Sequence, residues 1–291
     1  MKPLMVGGFT FAWGSKTYVM GIMNITPDSF SGDGLLMDTS ALAENALAQA
    51  RTFVAAGADI LDIGGESTRP GANPVSAKDE IARVVPVIRA INAEMDTVIS
   101  VDTSKAAVAQ AAIDAGASII NDVWGLRADP EMGHVVAKTG VPVILMDNRL
   151  PTKDNALLER LEKNEVGVAY KNVVEDVKQS LLESVALAHR AGIPDKHIIL
   201  DPGIGFGKNR EQNLELIEQL DKIRALGYPI LLGPSRKRFI GYTLDLPPDQ
   251  RVEGTAATVA IGIDRGADIV RVHDVKEIVR TARMTDAIVR R

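Results

Sequence analysis

One pattern recurs along the chain and limits its fold more than any other feature. A helical stretch ends in a glycine, and two to six residues later comes a short apolar run. Ala56-Gly57 precedes Ile60-Leu61-Asp62-Ile63, and Ala115-Gly116 precedes Ile119-Ile120-Asn121-Asp122. Thr139-Gly140 precedes Val143-Ile144-Leu145-Met146, and Ala191-Gly192 precedes Ile198-Ile199-Leu200-Asp201. Leu226-Gly227 precedes Ile230-Leu231-Leu232-Gly233, and Arg265-Gly266 precedes Ile269-Val270-Arg271-Val272. Glycine after a helix takes the left-handed cap conformation without a Cβ penalty. Short apolar runs suit parallel strands buried on both faces. Val19–Asn24 and Val98–Asp102 fit the same spacing without the glycine, which brings the strands to eight. Helical patterns lie between them, at Ala41–Ala55, Lys78–Ile91, Lys105–Ala115 and Val173–Arg190.

Alternating strands and helices imply right-handed crossovers and a parallel sheet. Eight such units in 291 residues predict a closed (β/α)₈ TIM barrel; five or six strands would have suggested a doubly wound open sheet. Residues 1–291 read as a single domain without an internal linker. Phe9–Thr17, with a turn at Gly14-Ser15, is expected to be a short N-terminal β-hairpin capping the barrel. The polar stretch Leu150–Glu165 is expected to be a long loop.

Composition narrows the chemistry. Cysteine is absent, which removes disulfides, thiolate metal sites and thiol nucleophiles. Lys and Arg total 33 against 38 Asp and Glu, a net charge of −5, which argues against a nucleic-acid partner. Aromatic residues are only 4% and hydrophobic residues 46%, so the core must be aliphatic. No apolar stretch approaches the roughly 18–20 residues of a membrane span, and Met1–Thr10 carries no apolar run of the length a secretory signal is expected to need. The expectation is a cytoplasmic protein with no membrane partner.

In barrels of this kind the chemistry sits at the carboxyl ends of the strands. Those ends here are consistently polar. They are Asn24, Asp62, Asp102-Thr103-Ser104, Asn121-Asp122, Asp147-Asn148-Arg149, Asp201, Ser235-Arg236-Lys237, and Arg271 with His273-Asp274. Any one of them could simply cap the following helix, as Ser40 and Ser104 are expected to do. Polar groups at all eight ends are harder to explain that way. Asn121 lies inside an apolar run, where an unpartnered amide costs about 1–3 kcal/mol. Arg271 alternates with Val270 and Val272, so it points to a partner or ligand. Arg69, Lys237, Arg271, His273 and Asn24 suit a phosphate-like anion. Asp62, Asp102 and Asp201 suit a heterocycle with N–H donors or a developing cation. Gly203-Ile204-Gly205-Phe206-Gly207-Lys208 lacks the spacing of a nucleotide phosphate loop and reads as a close-approach turn. His134, His189 and His197 lack metal-ligand spacing, and no nucleophile elbow occurs.

Several stretches together resemble the dihydropteroate synthase family of pterin-binding enzymes. They are Val19–Phe30, Asp62–Gly71, Ser100–Thr103, Ile120–Val123, Asp201–Lys208, Ser235–Lys237 and Arg271–His273, in the family's order. The resemblance implies a (β/α)₈ homodimer. Its reaction joins 6-hydroxymethyl-7,8-dihydropterin pyrophosphate to p-aminobenzoate with Mg²⁺ present, and it is inhibited by sulfonamides. It further implies that Asp102, Asn121, Asp201 and Lys237 hold the pterin, with Arg271 stacked on its ring. Asn24, Arg271 and His273 would receive the pyrophosphate, with Asn24 also near the metal. Thr68, Ser235, Phe30 and Arg69 would form the p-aminobenzoate pocket, with Thr68 also reaching the pterin pyrophosphate. Asp102, Lys237 and Arg69 are the expected catalytic residues. A pterin-binding or methyl-carrier module without synthase activity is the competing expectation. Two positions depart from the family's usual pattern. Asp33 is displaced by one residue in Ser31-Gly32-Asp33-Gly34, and Asp147 follows Met146 where histidine is common.

Overall fold

The computed structural model describes residues 1–26, 39–66, 74–149 and 169–290. A two-stranded antiparallel hairpin, β1 (Leu4–Val6) and β2 (Phe9–Phe11), comes first. Eight strands follow: β3 (Tyr18–Asn24), β4 (Ile60–Gly64), β5 (Val98–Asp102), β6 (Ile119–Asp122), β7 (Val143–Met146), β8 (Ile198–Asp201), β9 (Leu231–Leu232) and β10 (Ile269–Val272). They pair in parallel in the order β8-β7-β6-β5-β4-β3-β10-β9. A single parallel bridge between Leu200 and Ile230 brings β8 against the segment entering β9 and closes the ring. The predicted (β/α)₈ barrel is therefore the observed fold.

The described helices surround this ring. They are α1 (Thr39–Ala56), α2 (Ala77–Glu94), α3 (Ala106–Ala115), α4 (Met132–Thr139), α5 (Val173–Arg190), α6 (Arg210–Glu218), α7 (Leu220–Arg224), α8 (Arg238–Leu244), α9 (Val252–Asp264) and α10 (Val275–Val289). Among the described residues no helix is long and apolar enough to cross a membrane.

Strand alternation divides the interior into two clusters. Outward residues such as Leu61, Ile99, Ile120, Leu145, Leu200 and Val270 pack with the helices in the main core. Inward residues Met20, Ile60, Val98, Ile119, Ile144, Ile199, Leu231 and Ile269 form a separate apolar layer with the hairpin's Leu4, Val6 and Phe11. The hairpin thus plugs the floor of the barrel, with the Phe11 and Tyr18 ring centroids 4.6 Å apart and their planes tilted by 50°. Successive side chains point to opposite faces of a strand. The next inward positions are therefore Ile22, Asp62, Ser100, Asn121, Met146, Asp201, Gly233 and Arg271. The floor is sealed with hydrocarbon and the next layer up is largely polar.

Two local expectations are corrected. The hairpin spans residues 4–11 rather than Phe9–Thr17, with Leu4 opposite Phe11 and its turn at Gly7-Gly8. Both glycines have positive φ, 54° and 83°, as a tight two-residue hairpin turn demands. Ser104 does not cap α3. The Ala106 N–H donates instead to Asp129 Oδ2 at 2.8 Å, so the cap comes from the following loop. Ser40 lies inside α1 rather than at its cap. The segment Leu150–Glu165 falls outside the described residues.

Candidate active site

The mouth of the barrel opens into a pocket lined by Asp102, Asn121, Asp201, Ser235, Lys237, Arg271 and His273. These seven residues come from five strands and the segments that follow them, and the sequence singled out each of them. Phe30, Thr68 and Arg69 lie outside the described residues, as does Asp33. Asn24 ends β3 in register with Gly64 and is half-buried at the rim.

Arg271 organises one wall. Its Nε donates to Asp62 Oδ2 at 2.6 Å, and its Nη2 donates to Asp102 Oδ2 at 2.7 Å. Asn121 Nδ2 donates to the same Asp62 oxygen at 3.1 Å. The other carboxylate oxygens, Asp62 Oδ1 and Asp102 Oδ1, are buried with no hydrogen-bond partner among the described residues. A buried acceptor left unfilled costs about 1–3 kcal/mol. The site thus holds acceptors in a form that a ligand's N–H groups could satisfy. Burial pushes the Asp102 carboxyl up to about 7 against the opposing charge of Arg271, while Asp62 nearby pushes it further up.

Lys237 and Asp201 stand together beside Arg271. Burial lowers the Lys237 ammonium to about 7, and Asp201 is the main influence opposing that shift. Burial raises Asp201, with Lys237 and the Gly203 N–H holding it down; that N–H donates to Asp201 Oδ1 at 2.7 Å. The Lys237 ammonium donates to the Ile204 carbonyl oxygen and sits 4.6 Å from the centre of the Phe206 ring. The turn after β8 permits this approach because of its glycines. Gly203 has φ +67°, and a Cβ there would lie 1.9 Å from the Asp147 carbonyl oxygen. Gly205 has φ +80°, and a Cβ there would meet the Lys237 chain at 2.6 Å.

The third side combines Ser235 and His273. The His273 N–H donates to Ser235 Oγ at 3.1 Å, and the ring Nδ1 lies 3.0 Å from the same oxygen. Arg236, although between Ser235 and Lys237 in sequence, pairs with Asp274. Phe206 joins the site beyond the residues selected from the sequence, and Asp62 enters it through Arg271. The sequence marked Asp62 as a buried acid, but its bridge to Arg271 depends on the barrel bringing β4 and β10 together across β3. Phe206 carried no signal beyond its place among three glycines.

Residues 20–273 match the family described as pterin binding enzyme. The chain is also 50% identical over 289 residues to the dihydropteroate synthase of Clostridium beijerinckii, covering 99% of this chain and all of that one. The chain belongs to the dihydropteroate synthases of the pterin-binding family. Among solved members, the Clostridium difficile dihydropteroate synthase determined in the presence of pteroic acid shares 45% identity and a TM-score of 0.87, covering 97% of this chain and 100% of that one. The Xanthomonas albilineans dihydropteroate synthase with 4-aminobenzoic acid shares 39% identity and a TM-score of 0.87, covering 98% of this chain and 97% of that one. The seven residues that this dihydropteroate synthase barrel gathers at its mouth fall within the stretches that carried the resemblance.

Proposed function

We propose that the enzyme joins the methylene carbon of 6-hydroxymethyl-7,8-dihydropterin pyrophosphate to the amine of p-aminobenzoate, releasing pyrophosphate. This is the transferase step that forms dihydropteroate in folate biosynthesis. The observation that carries the reading is the buried Asp102 carboxylate, one oxygen of it unfilled among the described residues, beside Arg271 and Lys237 in one pocket, with Asp62 behind them holding Arg271 and Asn121. The acids and the Asn121 amide supply acceptors and donors for the pterin's polar edge. Arg271 and Lys237 flank the same space, and His273 lies on the side nearer solvent.

The geometry favours a dissociative displacement. The methylene C–O bond breaks with its electron pair leaving on pyrophosphate, and positive charge spreads onto the pterin methylene. Asp102 in its ionised form stabilises that charge from a largely dry wall. The amine nitrogen of p-aminobenzoate then bonds to the carbon and loses a proton. Exclusion of water matters because water would capture the same cation. Ser235 would contact the aminobenzoate, together with Phe30, Thr68 and Arg69 of the first two loops.

Magnesium fits through Asn24. Among the described residues no group of three or more acidic or histidine side chains could hold an ion. Mg²⁺ bound alongside substrate phosphates needs only one or two protein oxygens. The half-buried Asn24 amide at the rim would meet that need, and the ion would neutralise charge on the leaving pyrophosphate. A homodimer is part of the same proposal, supported by Ile261, Met284 and Ile288, each at least half exposed on the neighbouring helices α9 and α10.

Calorimetry separates a synthase from a pterin-binding module. The proposal expects p-aminobenzoate to bind only when pyrophosphate and the pterin site are filled. Pterin binding without pyrophosphate-dependent aminobenzoate binding would favour the module.

A further inference from the structure

The carboxyl end of β7 carries an ion pair that the reaction does not use. The Asp147 and Lys208 side chains have no solvent exposure, and the Lys208 ammonium lies 2.8 Å from Asp147 Oδ2. Its remaining protons go to the carbonyl oxygens of Gly203 at 3.1 Å and Phe206 at 3.2 Å. An ammonium has three donors, so Lys208 is saturated. Burial disfavours its charge, and Asp147 is the largest influence keeping the proton on.

The turn that Lys208 holds forms a wall of the pocket. Ile204 accepts from the Lys237 ammonium, the Phe206 ring lies against it, and the Gly203 N–H holds Asp201. The Asp147 main chain also abuts this turn, since only a residue without Cβ fits at Gly203 beneath its carbonyl oxygen. One contact chain therefore runs from the Asp147 carboxylate through Lys208 and the turn to Lys237 and Asp201.

We infer that Asp147 is a positioning residue for pterin binding, acting through Lys208 on the turn that sets Phe206 and the Lys237 ammonium. It rests on the reading of this pocket as the pterin site, so the wild-type enzyme is titrated first. Failure of the wild type to bind 6-hydroxymethylpterin would overturn that reading, and this inference with it. Asp147→Asn keeps the shape and removes the charge. The inference expects about tenfold weaker binding of 6-hydroxymethylpterin, as for one misplaced hydrogen-bonding group. The KM for the pterin pyrophosphate should rise with it, while the KM for p-aminobenzoate stays near its wild-type value. Asp147→Asn combined with Lys208→Met should be no worse than either alone, as expected for residues acting through one contact. Wild-type affinity in folded Asp147→Asn, additive losses, or equal rises in both KM values would overturn the inference in favour of a merely structural pair. Should Asp147→Asn fail to fold, Lys208→Arg keeps a cation beside Asp147 and replaces the three-way contact with a planar fork. About tenfold weaker pterin binding in that variant supports the inference, again at the scale of one hydrogen bond, and unchanged binding overturns it.

Discussion

Replacing Asp102 with Asn should remove the acidic limb of the enzyme's pH profile. Asp102 titrates near 7 because burial disfavours its charge, and Lys237 titrates near 7 for the same reason with the opposite sign. The carboxyl loses its charge as pH falls through 7, and the ammonium loses its charge as pH rises through 7. If catalysis needs both charged, about a quarter of the enzyme is competent at pH 7 and about one hundredth at pH 5 or pH 9. The value of kcat/KM for the pterin pyrophosphate should therefore fall about 25-fold on each side of neutrality. The two limbs belong to the pair of groups and report macroscopic values. The assay is the initial rate of dihydropteroate formation from pH 5 to pH 9 at constant ionic strength. Titration of the substrate's own pyrophosphate is common to wild type and variant, so the comparison isolates the side chain. Asp102→Asn should lose the acidic limb and about 10²-fold in turnover, the scale for one preorganised charge-stabilising group, with a smaller loss of pterin affinity. Lys237→Arg should lose the alkaline limb. A variant that keeps both limbs, or one whose turnover and affinity fall equally, would refute the role given to Asp102.

Other consequences follow from the same contacts. Arg271→Met leaves Asp62 and Asp102 facing each other without their shared cation, and breaking a buried pair costs roughly 3–5 kcal/mol. Thermal denaturation should show a clear drop in melting temperature, and an unchanged one would count against the bridge. Gly203→Ala must displace either the turn or the Asp147 carbonyl, so fluorescence titration should show lost pterin binding; retained binding would contradict the close approach. Phe11→Ala should cost roughly 3–5 kcal/mol in chemical denaturation while leaving kcat intact, because it empties the barrel floor and not the site. A fall in kcat at temperatures where the variant stays folded would show that floor and site are not independent.

The strands were legible because period and punctuation agree. A glycine cap and a short apolar run recur wherever a helix turns back into the sheet. The bounds of Val143–Met146, Ile198–Asp201, Ile269–Val272 and Val173–Arg190 match the observed elements to the residue. Asn121 and Arg271 were legible as site residues because a polar side chain in an apolar strand must find a partner. What the alternation could not tell was which partner. The bridge from Arg271 to Asp62 and Asp102 joins residues 209 and 169 positions apart, through ring closure alone. The hairpin differs from its expected place because Gly7-Gly8, both at positive φ, makes the tight turn that pairs Leu4 with Phe11, while Gly14-Ser15 lies beyond it. Asp129 replaced Ser104 as the cap of α3 because a loop distant in sequence lies over the helix start. The pairing of Asp147 with Lys208 was invisible for the same reason: two isolated charges acquire meaning only when β7 and the turn after β8 are neighbours.

The most direct test is a two-substrate incubation with Mg²⁺, with dihydropteroate and pyrophosphate quantified together. The account predicts one pyrophosphate released for each dihydropteroate formed, and no pyrophosphate release beyond that stoichiometry. Absence of dihydropteroate at high enzyme concentration, from a preparation that binds pterin, would contradict it.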